Sequence, residues 1–245
     1  MLYIFTAILL GFYTFVNIIA PLSGSATITP ILASIVGAKD AIALATVFFF
    51  LTCIPRIYLF RNYFRWDIAK TLWPVSIAGA LVGSLLLTGI NETIVTTIIL
   101  CFLAYFIFQK SKQVIWKEKK EKQPTKLGVV AVGLVSGALQ GAGLAGADLR
   151  NGYLLSKGLS IKEIHGTTAA MGGANFLFAS IVRAATGHLT LQAALPILAL
   201  FPIIVLATYV GRHVALKLNK LWQDRVSLIV MVVAFGMLVY KLFFS

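Results

Sequence analysis

Apolar residues run along this chain in blocks, over approximately 2–20, 26–37, 41–60, 71–90, 92–109, 127–145, 152–158, 163–183, 190–211 and 225–243. Most blocks hold roughly 20 residues, about 30 Å as helix, which is enough to cross the hydrocarbon core of a bilayer. Two stretches are too short to cross: "TITPILASIVG" (27–37) and "NGYLLSKG" (151–158). Each follows a full-length block after a break rich in small or helix-breaking residues, "PLSGS" (21–25) and "GAGLAGAD" (141–148). The pattern predicts helices throughout, with two long-plus-short pairs that interrupt it.

One hydrophilic linker, "QKSKQVIWKEKKEKQPTK" (109–126), divides the chain into nearly equal halves. An offset of 122 residues brings the two breaks and the two short segments into register. It also pairs Gly24 with Gly146, Ser34 with Ser156, Thr46 with Thr168, Arg61 with Arg183, Pro74 with Pro196 and Gly89 with Gly211. The first repeat is therefore read as 1–109, with a hairpin over 2–37 and helices over 41–60, 71–90 and 92–109. A basic cytoplasmic linker follows at 110–126, and the second repeat occupies 127–245, with a hairpin over 127–158 and helices over 163–183, 190–211 and 225–243.

Composition and charge set the topology. The chain is 59% hydrophobic and 12% charged, with mean hydropathy +0.92, which excludes a soluble domain. Its net charge of +13 could point to nucleic acid, so the distribution of Lys and Arg matters. If each long-plus-short pair returns to its starting side, 17 basic residues fall on one face and 3 on the other, with Arg150 left at a hairpin tip. If each pair is one broken span, the division is 13 against 7. Short loops follow the positive-inside rule, which favours the hairpins and accounts for the charge without a nucleic-acid partner. The expected fold class is all-α and integral to the membrane. It is an inverted repeat, each half a broken or re-entrant hairpin plus three transmembrane helices. The expected location is a bacterial-type plasma membrane, with multiple passes and both termini outside the cytoplasm. The opening residues lack a basic n-region and are read as a first span instead of a signal peptide. Cys53 and Cys101 lie in apolar runs, with neither a metal nor a disulfide expected.

Candidate chemistry concentrates at the breaks. Backbone leaving helical geometry inside a membrane needs burial in protein or a watery cavity, and facing hairpins are a common way to build a transport site. Each short helix presents free N–H groups and a partial positive charge at its start, an arrangement that favours an anion. Near the first break lie Ser23, Gly24, Ser25, Thr27 and Thr29, and near the second lie Gln140, Gly143, Gly146, Asp148, Arg150 and Asn151. Arg150 offers a permanent planar cation suited to an oxyanion. Asp148 either pairs with Arg150 or exchanges a proton. In "EIHGTTAAMGGANF" (163–176), Thr167, Thr168, Met171, Gly172 and Asn175 follow on the next helix. Arg183 either attracts anions or snorkels to the headgroups, the second being favoured. Gly79-x-x-x-Gly83, Gly133-x-x-x-Gly137 and Gly137-x-x-x-Gly141 read as close-packing faces that also permit a homodimer.

These features lead to a transporter of a small anion embedded in a lipid bilayer, without a cofactor. Two other classes stay open. An intramembrane enzyme would need a nucleophile–base pair or metal ligands. "GLVSG" (133–137) lacks the G-x-S-G spacing, and His165, His188 and His213 are dispersed. A structural subunit without transport has little reason to keep two polar breaks.

The chain resembles the sulfite exporter TauE/SafE family over nearly its whole length, in "LSGSATITPILASIVGAKDAIALAT" (22–46) and in "GAGLAGADLRNGYLLSKGLSIKEIHGTTAAMGGANFLFASIVRAATGHL" (141–189). The second stretch is the more specific, with "NGYLL", "GLS", "HGTTAA" and "ATGHL" in the family's order and spacing. Members carry glycine runs at both breaks, whereas this chain has Ser23-Gly24-Ser25 and Gly146-Ala147-Asp148. The resemblance implies export or exchange of sulfite, sulfoacetate or related organosulfonates, with a substrate preference that differs from a typical member's.

Overall fold

The computed structural model describes residues 2–19, 24–116, 126–144, 146–156, 159–215 and 220–244. Among them the regular structure is helical: α1 (Leu2–Ile19), α2 (Gly24–Val36), α3 (Ala38–Phe60), α4 (Trp66–Thr88), α5 (Glu92–Trp116), α6 (Lys126–Gly141), α7 (Gly146–Ser156), α8 (Ile161–Ala185), α9 (Leu191–Ala199), α10 (Phe201–Ala215) and α11 (Lys220–Phe244). One 3-10 turn, Arg61–Tyr63, leads from α3 towards α4.

Local chemistry explains where these helices begin and end. Gly37, with φ 97°, is the one residue between α2 and α3. At the start of α8 the Ser160 hydroxyl accepts from the Glu163 N–H at 3.3 Å, while a Glu163 carboxylate oxygen accepts from the Ser160 N–H at 2.8 Å. Leu159 and Ile164 flank this capping box and are buried in one cluster, the positions of a hydrophobic staple. The segment expected as one helix over 190–211 forms two, α9 and α10, bent by 42° at Leu200. Pro202 has no N–H for the preceding turn, so the carbonyl ladder is interrupted there.

α3 and α8 cross at the centre, where Phe49 stacks on Phe176 with centroids 5.0 Å apart. The main core gathers Leu10 and Tyr13 from α1, Ile28 and Leu32 from α2, and the length of α3 from Ala38 to Cys53. α1 packs along α10, and α5 along α11. The most extensive pairing joins α4 to α6 through glycine. A Cβ at Gly83 would fall on the Ala138 carbonyl, and a Cβ at Gly137 or Gly141 would fall on the carbonyl of Ser76 or Ala80. The two backbones thus touch directly, the close approach that small-xxx-small spacing allows. These faces meet within one chain.

Large apolar side chains remain exposed on the outer helices, among them Leu86 on α4, Leu206 on α10 and Ile229 on α11. Such surfaces suit contact with lipid. Among the described residues, Ala38–Tyr63 and Trp66–Leu87 are each long and apolar enough to cross a membrane, and the bent pair α9–α10 qualifies as a third span. Cys53 is buried, Cys101 is exposed, and both are free thiols.

Candidate functional site

α6 ends in a tight left-handed turn. Gly143 has φ 73°, the Leu144 N–H bonds the Leu139 carbonyl at 2.7 Å, and the Gly143 N–H bonds the Gln140 carbonyl at 3.0 Å. This Schellman arrangement satisfies the last carbonyls of α6 and reverses the chain into α7. Glycine at 143 supplies the positive φ without a Cβ clash. α7 starts at Gly146 itself, five residues before the expected short segment, because a Cβ at 146 would strike the Ser136 carbonyl of α6. Arg150 therefore belongs to the second turn of α7 and not to the loop at the hairpin tip.

Around Arg150 the polar side chains converge. The guanidinium is 1% exposed. Its Nη1 donates to Gln140 Oε1 at 2.9 Å, and its Nη2 to the Thr168 carbonyl at 3.4 Å. Gln140 Oε1 also accepts from Asn175 Nδ2 at 2.7 Å, and the same Nδ2 reaches Ser76 Oγ at 2.7 Å. Gly172 packs against this cluster: a Cβ there would lie 3.5 Å from Arg150 Nη2 and 3.7 Å from both Cys53 Sγ and Gln140 Nε2. Four helices, α4, α6, α7 and α8, contribute to one buried network. Removing a guanidinium from water costs several kcal/mol unless polar groups surround it, and the Gln140 and Thr168 oxygens are among those that do so.

The expected site residues divide into three groups. Gln140, Arg150 and Asn175 are brought together, with Thr168 joining through its carbonyl while its hydroxyl donates back to the Ile164 carbonyl at 2.6 Å. Asn151 is buried at 5% exposure, and its Oδ1 has no hydrogen-bond partner. Gly146 packs α7 on α6, as above. The third group cannot be placed: Ser23 lies outside the described residues, as do the side chains of Ser25, Thr27 and Asp148, so the proposed Asp148–Arg150 pair does too. Gly24 opens α2, and Thr29 of that helix donates to the Gly143 carbonyl at 3.1 Å, joining the first short helix to the turn of the second hairpin.

Three further side chains depart from expectation. Arg183 does not snorkel: it is 2% exposed, and its Nη2 donates to the Gly141 carbonyl at 2.6 Å. A cation at the C-terminal carbonyls of α6 is favourable both as a hydrogen bond and against the helix dipole. Thr167 is structural, accepting the Arg65 N–H at 3.2 Å. Arg65 itself bridges Asp67 at 2.7 Å and Glu163 at 2.9 Å, and these carboxylates raise its pKa above the usual arginine value. Arg56, one of the 17 basic residues that the hairpin topology puts on the cytoplasmic face, has Nε and Nη2 buried without partners. Its signal was an arginine directly after Pro55 inside the apolar run 41–60. Ser76 had no sequence signal, since its role arises only where α4 meets Asn175 of α8. Among the residues whose side chains are described no Asp or Glu is buried, a set that leaves out Glu92, Asp148 and Asp224, and among the described residues no group of His, Cys, Asp and Glu could hold a metal ion.

The family model for the sulfite exporter TauE/SafE matches residues 4–238. No curated protein and no solved structure matches the chain.

Proposed function

The chain belongs to the sulfite exporter TauE/SafE family, whose members are membrane transporters of sulfur anions, and on that premise we propose that Arg150 is the substrate-binding cation. The substrate is a small sulfur-containing oxyanion such as sulfite, sulfoacetate or a related organosulfonate. The observation that carries this reading is an arginine 1% exposed, its guanidinium oriented by Gln140 and Thr168 beside Gly172, which brings no side chain of its own. An intramembrane cation of this kind is a functional site by default. Asn175 and Gln140 add amide groups that would orient the oxyanion, and Asn151 contributes an amide from the same short helix.

The wider frame of the proposal is an inverted repeat in a bacterial-type plasma membrane, with Arg65 and its carboxylates at the cytoplasmic end and both termini outside. The helix pairings support it. Exchanging the halves turns the α1–α10 pair into α6–α4 and leaves α3–α8 and α5–α11 unchanged. The bond from Thr29 to Gly143 supports hairpins whose tips meet.

The test is flux in proteoliposomes loaded with sulfite, sulfoacetate, taurine, sulfate or chloride, with wild type and Arg150→Gln compared at equal reconstitution. Flux of a sulfur oxyanion should fall about ten-fold or more in the variant, the loss expected for a charged hydrogen bond. Unchanged flux from a well-folded variant would reduce Arg150 to a structural residue.

A further inference from the structure

Arg56 plays no part in the network around Arg150, yet it is held inside the same bundle. Its Nε and Nη2 are buried and unpartnered. Among the described residues, the ionisable groups in electrostatic reach are the Cys53 thiol on its own helix, the Tyr13 phenol of α1 and the His165 imidazole of α8. None of these is a carboxylate. Two carboxylates near that end of the bundle among the described residues, Asp67 and Glu163, are engaged by Arg65.

Position connects Arg56 to the Arg150 site. Cys53 precedes it by one helical turn on α3, and residues three apart share a helix face. Cys53 Sγ and Arg150 Nη2 both border the space beside Gly172, and Cys53 is within electrostatic reach of both arginines. The neighbouring Gly173 lies against Cys53 Cβ and Ile57 Cδ1, so α8 packs on α3 at the level of Arg56. Further along, His165 stacks on Phe60 with centroids 5.2 Å apart, towards the end marked by Arg65. Arg56 therefore lies between the Arg150 network and that end.

We propose that Arg56 is a second oxyanion-binding position, placed between the Arg150 site and the Arg65 end of the bundle, and that the two guanidinium groups together select a doubly charged oxyanion. The inference rests on the reading of Arg150 as the substrate cation and extends it to substrate charge. Two buried N–H donors left without acceptors, Nε and Nη2, are unfavourable for the fold alone, and an oxyanion supplies both the countercharge and the acceptors. Planar guanidinium groups bind oxyanions with two parallel bonds, so Nε and Nη2 form a ready fork.

The experiment titrates purified protein with sulfate, a dianion, and methanesulfonate, a monoanion of the same sulfur chemistry. Wild type, Arg56→Gln, Arg56→Met and Arg150→Gln are compared by calorimetry, and their thermal unfolding is recorded without anion. Arg56→Gln and Arg56→Met should weaken sulfate binding about ten-fold or more and methanesulfonate binding clearly less, as removal of one charged contact requires. Arg56→Met should unfold at the same temperature as wild type or higher, because it removes two buried donors that have no acceptor. It therefore keeps the test alive if the Gln variant does not fold. Sulfate affinity within about two-fold of wild type in Arg56→Met, or equal weakening of both anions, overturns the proposal. If Arg150→Gln then still loses both anions, the Arg150 reading survives. Full binding by Arg150→Gln sinks that reading instead.

Discussion

Gly137→Ala tests whether the glycine contact between α4 and α6 holds the polar network in place. A Cβ at 137 falls on the Ser76 carbonyl, and Ser76 also carries the hydroxyl that Asn175 Nδ2 reaches at 2.7 Å. Backbone cannot rotate away as a side chain can, so α4 must separate from α6. Overpacking of this kind costs about 1–3 kcal/mol. Separation also stretches the bridge that Asn175 makes between Ser76 on α4 and Gln140 on α6, with each lost bond worth about 1 kcal/mol more. The control is Gly236→Ala on α11, where a Cβ meets nothing within 4 Å. There alanine should stabilise the helix by roughly 0.5–1 kcal/mol. The assay is equilibrium unfolding in mixed micelles, followed by helical circular dichroism. The two variants should move in opposite directions, and Gly137→Ala should also weaken binding of whichever anion the wild type takes. Equal stability of the two variants would refute the packing argument, since the same chemical change would then be insensitive to a direct backbone contact.

Two other outcomes follow from the capping geometry. Arg183→Met leaves the Gly141 carbonyl without its 2.6 Å donor and should destabilise the protein by about 1.5–3 kcal/mol, the range for a charged hydrogen bond; an unchanged unfolding midpoint would return Arg183 to the headgroup region. Ser160→Ala removes the side-chain half of the capping box at the start of α8 and should cost about 0.5–2 kcal/mol. Ser160→Asp should restore most of that loss, whereas equal destabilisation by both would show that the hydroxyl is not acting as a cap.

Much of the architecture is legible in the residues alone. The apolar blocks predict helices because a chain in lipid must satisfy its backbone internally, whatever packing follows. The breaks at 21–25 and 141–148 are visible because glycine and proline disrupt that rule locally. Gln140, Arg150 and Asn175 stand out for a similar reason: polar side chains in apolar stretches are expensive and therefore conspicuous. The GxxxG spacing announced close packing, although not which helices would meet.

What tertiary structure decided is who meets whom. Ser76 is an ordinary hydroxyl until α6 brings Gln140, and α8 brings Asn175, to the same level. Arg183 resembles a snorkelling arginine until the Gly143 turn places the end of α6 within its reach. Arg56 counts as one more positive charge near a helix end until the packed bundle buries its Nε and Nη2. The start of α7 at Gly146 likewise depends on the Ser136 carbonyl of the preceding helix, a contact with no trace in local hydropathy. Hydropathy and helix breaking act over a few residues and are written locally. Burial, capping by a distant side chain and hydrogen bonds between helices depend on where separate segments pack, and only the assembled bundle decides that.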